Sequence, residues 1–388
     1  MTRKVKKLWI VLAAAAGIPL TMWLCWYLSP KTKMVAAIID KTVLTSAGQE
    51  HISFLWILNH EKLTKTASKF YKIDHDYFGF FPMEGEKFRL KGLERFNNDQ
   101  LQQLSEDINL VYFTDTYGIY RNEWYTQKNN NERSGMVYGG MSSQDIELLK
   151  QMKQKKKLII TEFNSIGSPT SQETRKQFED MFAMHWTGWT GRFFESLDTT
   201  RNKELPRWLI NNYKRANNNN WPFKKSGIAL VSDQDRVIIL EDGRDLKDPM
   251  PHIISGEYGQ KVLGLPEEIK YAFWFDVIQP NRAINTQVAS FRMDVNQKGQ
   301  VLLKANGLSA VFPAVLMHKK TDYRFYYFSG DFCDNPVSLS SSYFKGIGAF
   351  KWLFYDTSNP MERSSFFWNF YRPMMTNILD QEREYNKK

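Results

Sequence analysis

Apolar positions along this chain change their period several times, and each change marks an element. Residues 8–28, LWIVLAAAAGIPLTMWLCWYL, carry no charge. At about 1.5 Å per residue a helix of that length reaches about 30 Å, the thickness of a hydrocarbon core, so the run predicts an N-terminal transmembrane helix. From residue 34 onward, short continuous apolar runs alternate with helical spacings. VAAIID at 35–40 predicts a buried strand, and Ile52, Leu55, Trp56, Asn59 and Leu63 follow at helical intervals within 50–63. A helix over 101–107 leads into a second strand, INLVYFTD at 108–115. Ser142 is placed to cap a helix carrying Ile146, Leu148, Leu149 and Met152, and the basic run 153–157 complements its negative end. KLIITE at 157–162 is a third strand, and a further helix from near Ser171 carries Arg175, Phe178 and Phe182. Uninterrupted apolar strands separated by helices predict a mostly parallel sheet with helices on both faces.

The pattern shifts at about residue 227. GIALVS, DRVIILE, QVASFRMDV, QVLLKA, AVFPAVL and YRFYYFS are short and rich in β-branched and aromatic residues, with turn residues between them. They predict a β-rich extension or insertion. The final stretch, 364–388, is helical, with Phe367, Phe370, Tyr371, Met374, Met375 and Ile378 on one face. The asparagine patches at 129–131 and 217–220 read as loops. Four regions result: an anchor at 1–33, an α/β core at 34–226, a β-rich part at 227–328, and a return to the core with a C-terminal helix at 329–388.

Composition alters this picture at two points. A hydrophobic share of 42% with 24% charged residues is that of a folded protein, so disorder is excluded. The formal charge of +10 first points to nucleic acid. Six basic residues and no acids lie in 1–33, however, which leaves 46 basic against 42 acidic beyond them. That near-balance argues against a nucleic-acid partner. The same asymmetry, with Trp23, Trp26 and Tyr27 at the far end of the apolar run, predicts a cytoplasmic N-terminus. The bulk of a single-pass inner-membrane protein would then lie on the periplasmic or extracellular side. The run is longer than a usual signal-peptide core and has no A-x-A site after Leu28.

Candidate chemistry gathers at predicted strand ends. Asp40, Asp115 and Glu162 close the three parallel strands, and Asp331 follows a fourth, FYYFSGD. Ligands of open α/β sheets bind beyond the carboxyl ends of the strands, where several carboxylates could converge for acid–base work or for a hard cation. Each one, taken singly, is as well explained as a helix cap. Gly139 and Gly140 give a loop of close backbone approach. Trp186, Trp189 and Arg192 are predicted to lie in a Gly-containing loop, either offering faces to sugar rings or packing beneath it. The six histidines show no zinc spacing and the two cysteines no cysteine-based site, so no metal and no cofactor is expected.

The order strand, Gly-Gly loop, helix SSQDIELLKQMKQKKK, strand and elbow LIITEFN resembles the class I glutamine amidotransferase-like superfamily, as does the late segment SGDFCDNP. The resemblance covers about 35–200 and 310–355 and implies a flavodoxin-like core. The nucleophilic cysteine of that superfamily falls on Glu162 here, and Cys333 lies far off in sequence. Thiol chemistry is therefore not expected. The leading expectation is a membrane-anchored protein outside the cytoplasm. It would bind a cell-envelope glycan or polysaccharide at Gly139, Gly140, Trp186, Trp189, Arg192 and Asp331, or serve an envelope protein complex as an accessory subunit. The alternative is a carbohydrate hydrolase that pairs Glu162 with Asp40 or Asp115.

Overall fold

The computed structural model describes residues 3–125, 133–359 and 361–387, with side chains described from Ala15 onward. The asparagine patch at 129–131 lies outside the described residues. A ten-stranded sheet forms the centre. In chain order its strands and those of a second sheet are β1 (Ala36–Asp40), β2 (Phe78–Pro82), β3 (Phe88–Lys91), β4 (Leu110–Asp115), β5 (Leu158–Glu162), β6 (Met184–Phe194) and β7 (Gly227–Ser232). They continue with β8 (Val237–Glu241), β9 (His252–Ser255), β10 (Glu268–Lys270), β11 (Phe275–Pro280), β12 (Asn285–Arg292), β13 (Val311–His318) and β14 (Arg324–Phe328). The large sheet runs β10-β9-β12-β13-β14-β5-β4-β1-β2-β3.

Among the described residues, four of its nine neighbour pairings are parallel, joining β14, β5, β4, β1 and β2. The sheet is therefore mixed, where the sequence predicted a mostly parallel one. Four of the five antiparallel pairings join β10, β9, β12, β13 and β14, with the helix Glu257–Lys261 between β9 and β10 and the helix Gln297–Ala305 between β12 and β13; the fifth is the β2–β3 hairpin. A four-stranded antiparallel sheet, β8-β7-β6-β11, stands beside it.

Alternation along the parallel strands sorts side chains to two faces. Ile38, Tyr112, Ile160 and Phe328 join one cluster with Phe54, Leu55 and Leu58 of α2 (Gln49–His60) and with the C-terminal helical residues Phe367, Tyr371 and Met375. Ile39, Val111, Phe113 and Ile159 join the other. There they meet Leu101 of α3 (Asn98–Asp107), Leu148 and Leu149 of α4 (Ser143–Gln154), and Phe178 and Phe182 of α5 (Gln172–Phe182). Ser142 caps α4 by accepting from the Asp145 N–H while the Asp145 carboxylate accepts from Ser142, a reciprocal capping box. The C-terminal helix widens to a π turn over Phe367–Tyr371, where four of the five residues are large aromatics and all four are buried.

The N-terminal helix corrects the largest expectation. It runs Arg3–Leu28 with Pro19 inside, but among the described residues no helix is long and apolar enough to cross a membrane. The earlier part of the expected span, 8–14, lies outside the described side chains. Trp26, expected in an interfacial belt, is 7% exposed and packs on the domain. Its indole N–H donates to the Asn59 carbonyl at 3.1 Å, and its ring meets Tyr343 edge-on at 4.8 Å. The Lys62 ammonium donates to the carbonyls of Trp26, Tyr27 and Ser29, closing the helix end. The predicted transmembrane anchor, the inside–outside orientation and the inner-membrane localisation built on it are overturned together.

Trp56 ties the layers together. It has no exposed surface, donates to Ser341 Oγ at 2.7 Å and stands edge-on to Phe367 and Trp368. Trp56→Ala should lower stability by about 3–5 kcal/mol in urea unfolding monitored by circular dichroism.

Candidate functional site

The parallel registers bring the strand ends to one edge. Asp40 stands opposite Asp115, and Glu162 opposite Phe328. The four-stranded sheet faces this edge across a cleft of about 1080 Å³. Asp115, Phe163, Asn164 and Asp331 line it from the strand-end side, together with Glu50 from the first turn of α2. Trp186, Thr190 and Arg192 of β6, Val231 and Ser232 of β7, and Trp274 just before β11 form the facing wall. Tyr117, Tyr120 and Trp208 complete the aromatic part of the lining.

Of the predicted carboxylates, the fold delivers two to the cleft and withholds two. Asp115 Oδ1 accepts from Thr42 Oγ1 at 2.8 Å and from the Tyr117 N–H at 2.5 Å. Burial, reinforced by Asp40 and Asp331, nonetheless raises its pKa well above the usual carboxylate range. Asp331 is pushed up to about 6 by burial and by Asp334, against the opposing pull of Arg363. Asp40 does not line the cleft. Its carboxylate is held at 2.5 Å by His51 Nδ1, whose Nε2 faces the Ile73 carbonyl at 2.9 Å. With both ring nitrogens engaged and both side chains buried, this is a structural pair.

Glu162 is also withheld. It is 1% exposed, accepts from the Tyr112 hydroxyl and from the Cys333 N–H at 3.1 Å, and lies behind the elbow. Burial raises its pKa well above the ordinary glutamate value, against the lowering pull of these two hydrogen bonds. The predicted hydrolytic pairs of Glu162 with Asp40 or Asp115 are thereby corrected: neither Glu162 nor Asp40 reaches the cleft. Cys333, remote in sequence, lies against this elbow. It is fully buried, and its sulfur accepts from Tyr371 Oη at 3.1 Å. Burial and the neighbouring Glu162 push the thiol pKa up, which opposes the thiolate a nucleophile needs.

The tryptophan segment is no loop. Trp186 and Trp189 lie in β6, each 3% exposed, with the Arg175 guanidinium 4.4 Å from the Trp186 ring and Arg236 5.2 Å from Trp189. Trp189 lies outside the cleft lining and Trp186 contributes to it while only 3% exposed, so neither offers the open loop face that was expected. Arg192 does line the cleft and pairs with Glu204 at 3.0 Å. Gly139 and Gly140 lie outside its lining. A Cβ on Gly139 would come 2.6 Å from the Tyr117 carbonyl, so this glycine permits two backbones to touch. The Gly140 carbonyl accepts from Lys41, a fully buried ammonium also paired with Asp145 and Glu94. Burial works against its charge, but the two carboxylates outweigh that and raise its pKa.

Three residues escaped the sequence reading: Glu50, Asp334 and Arg363. Arg363 Nη1 donates to Asp334 Oδ2 at 2.7 Å, and Nη2 lies 3.1 Å from Asp331 Oδ2. These two aspartates hold the guanidinium pKa above its ordinary value although burial opposes it. Burial, then Asp334, Asp331 and Asp115, raise the Glu50 pKa well above normal. Glu50 was visible as an acid in the first turn after β1. Nothing in sequence spacing pairs residue 363 with 331.

No protein-family model matches the chain, and no curated protein matches it. Among solved structures, a ThuA-like protein from Bacteroides uniformis is similar at 12% identity and a TM-score of 0.36, covering 86% of this chain and 96% of that one. A second ThuA-like protein, from Parabacteroides merdae, has 12% identity and a TM-score of 0.33, covering 78% and 79%. A glutamine amidotransferase from Thermotoga maritima has 9% identity and a TM-score of 0.37, covering 91% and 99%. These are distant likenesses, and at such scores they carry no argument about activity.

Two outcomes test this account of the buried groups. Asp276, beside Trp274, is fully buried, accepts from Tyr327 Oη at 2.7 Å, and has its pKa raised by burial to about 7. Below about pH 4 both folded and unfolded chains hold this proton. As pH rises, the unfolded chain loses it first, so stability falls through about pH 7 and then levels. Asp276→Asn should remove this slope, worth as much as about 4 kcal/mol, in urea titrations run from pH 4 to 8. Cys333→Ser keeps an acceptor for Tyr371 and should cost less than about 2 kcal/mol. In the native wild type, the Cys333 thiol should react with a thiol reagent only on unfolding, as peptide mapping of the labelled chain would show.

Proposed function

We propose that the cleft binds an oligosaccharide and that the chain acts through this binding, without thiol chemistry. The observation that carries this is one cavity holding carboxyl groups and aromatic faces together. Glu50, Asp115 and Asp331 can exchange hydrogen bonds with hydroxyls, and Trp274, Tyr117 and Tyr120 are partly open for the apolar faces of sugar rings. At about 1080 Å³ the cavity has room for more than one ring. The neighbouring guanidiniums already have partners that limit them: Arg133 pairs with Asp235, Arg192 with Glu204 and Arg363 with Asp331 and Asp334, while Lys203 lines the cleft as an exposed side chain. The site therefore favours a neutral polyhydroxyl ligand over a strongly anionic one.

A hydrolase is the second reading, favoured by carboxyl groups in one cleft with differently shifted acidities. Asp331 near 6 beside a more strongly raised Asp115 or Glu50 supplies a base and an acid within one site. Titration calorimetry of the full chain against neutral oligosaccharides, with product analysis of the same mixtures, separates the two. Binding without cleavage is expected, and Trp274→Ala should weaken it about tenfold, about 1.4 kcal/mol, with the melting temperature unchanged. Cleaved product that disappears in Asp115→Asn would make the chain an enzyme. Absence of binding across the panel at millimolar concentration would remove the carbohydrate reading.

A further inference from the structure

Glu50, Asp331 and Asp334 form a second constellation within this region, whose meaning goes beyond the carbohydrate reading and does not depend on it. Each offers a carboxylate oxygen, and these oxygens all lie within 4.8 Å of one another. Calcium–oxygen bonds of about 2.4 Å let two ligands of one ion stand up to about 4.8 Å apart, so each pair of these oxygens is within the reach of one ion, and a small closing of the three would bring all of them onto it.

Two independent features point to a ligand for them. Asp334 is 6% exposed, and while its Oδ2 binds Arg363 its Oδ1 has no hydrogen-bond partner. A buried carboxylate oxygen without a partner is costly unless something fills its lone pairs. The second feature is charge. Three carboxyl groups face one guanidinium, Arg363, so when all are ionised two of them have no cation to balance them. A divalent cation cancels that remainder and supplies the missing partner.

Other titratable groups face the same spot. Asp115 and Asp40 act on Glu50 from the strand ends, and Arg192 acts on Asp331 from β6. Their sum stays negative, which adds to the attraction. Asp331 and Asp334 sit three residues apart on the loop after β14, and Glu50 comes from the first turn of α2. One ion would therefore clamp the loop to the helix at the cleft's edge.

We propose that Glu50, Asp331 and Asp334 bind a calcium ion, with waters completing its shell. Arg363 stays bonded to the outer oxygens of the two aspartates and orients them. Calcium is preferred over magnesium because its shell of six to eight oxygens tolerates irregular geometry and three protein ligands from two separate segments.

The test is calorimetric titration of the full, chelator-stripped chain with calcium chloride, alongside melting curves. One site with a dissociation constant between about 10⁻⁶ and 10⁻³ M is expected, together with a calcium-dependent rise in melting temperature. Terbium bound in its place should luminesce on excitation of tryptophan and be displaced by calcium. Glu50→Gln removes one ligand at a partly exposed position and should weaken calcium at least tenfold while the chain stays folded. Asp334→Asn should do the same, and if it fails to fold, Glu50→Gln alone decides. No heat and no melting shift at 10 mM calcium (about ten times the weakest constant expected) would overturn the site. So would Glu50→Gln binding calcium as tightly as wild type. Magnesium binding with no response to calcium would overturn the assignment of the ion.

Discussion

Packing carboxylates into a sheet edge with too few cations to neutralise them is the constraint on which this structure turns. Each buried acid must find a positive partner, a set of donors, or a proton. Asp40 takes His51, Asp145 takes Lys41, and Asp331 and Asp334 share Arg363. Glu162 takes the Tyr112 hydroxyl and the Cys333 N–H as its donors. Because each solution draws on a different part of the chain, the network also locks distant segments together. Residue 363 secures the loop after β14, and residue 333 closes over the elbow after β5.

That locking separates structural acids from available ones. Asp40 and Glu162 are consumed by the interior. Asp115, Glu50 and Asp331 remain at the surface of the cleft because the strand-end loops turn outward there and the second sheet stands across the gap. The aromatic residues divide in the same way. Trp186 and Trp189 fill space beneath Arg175 and Arg236, whereas Trp274 and Tyr117 keep partly open faces. A cavity lined in this manner suits a ligand with alternating polar edges and apolar faces, and its surplus of negative charge suits a cation at one end.

The N-terminal helix shows how the same residues read differently in context. Trp26 has the amphipathic character of an interfacial residue, and the domain uses that character: its ring packs on Tyr343 while its N–H finds the Asn59 carbonyl. Lys62, with its ammonium 4.8 Å from the same ring, closes the helix end. An aromatic–basic pairing of this kind is common to membrane boundaries and to ordinary helix docking, and hydropathy alone does not distinguish them.

Local pattern by itself determined β1, β4 and β5 and the helices α2 to α5, since burial on both faces demands continuous apolar runs and these are visible in a single stretch of chain; it did not show β2, β3 or the helix Arg207–Ala216. It also placed Asp40, Asp115 and Glu162 at strand ends, because a strand's last residue is a local fact, and it put no cysteine at the elbow. Tertiary structure decided the rest. Which carboxylates meet, that Glu50 and Asp334 join Asp331, that Arg363 balances them, and that Cys333 lies beside Glu162 all depend on contacts between segments far apart in sequence. The tryptophan segment became a strand because β7 and β11 flank it and satisfy its backbone, a partnership its Gly-containing sequence does not announce. Periodicity reports how a segment meets water and core; only the packed chain decides which charges must share one low-dielectric space, and with that which of them are left to meet a ligand.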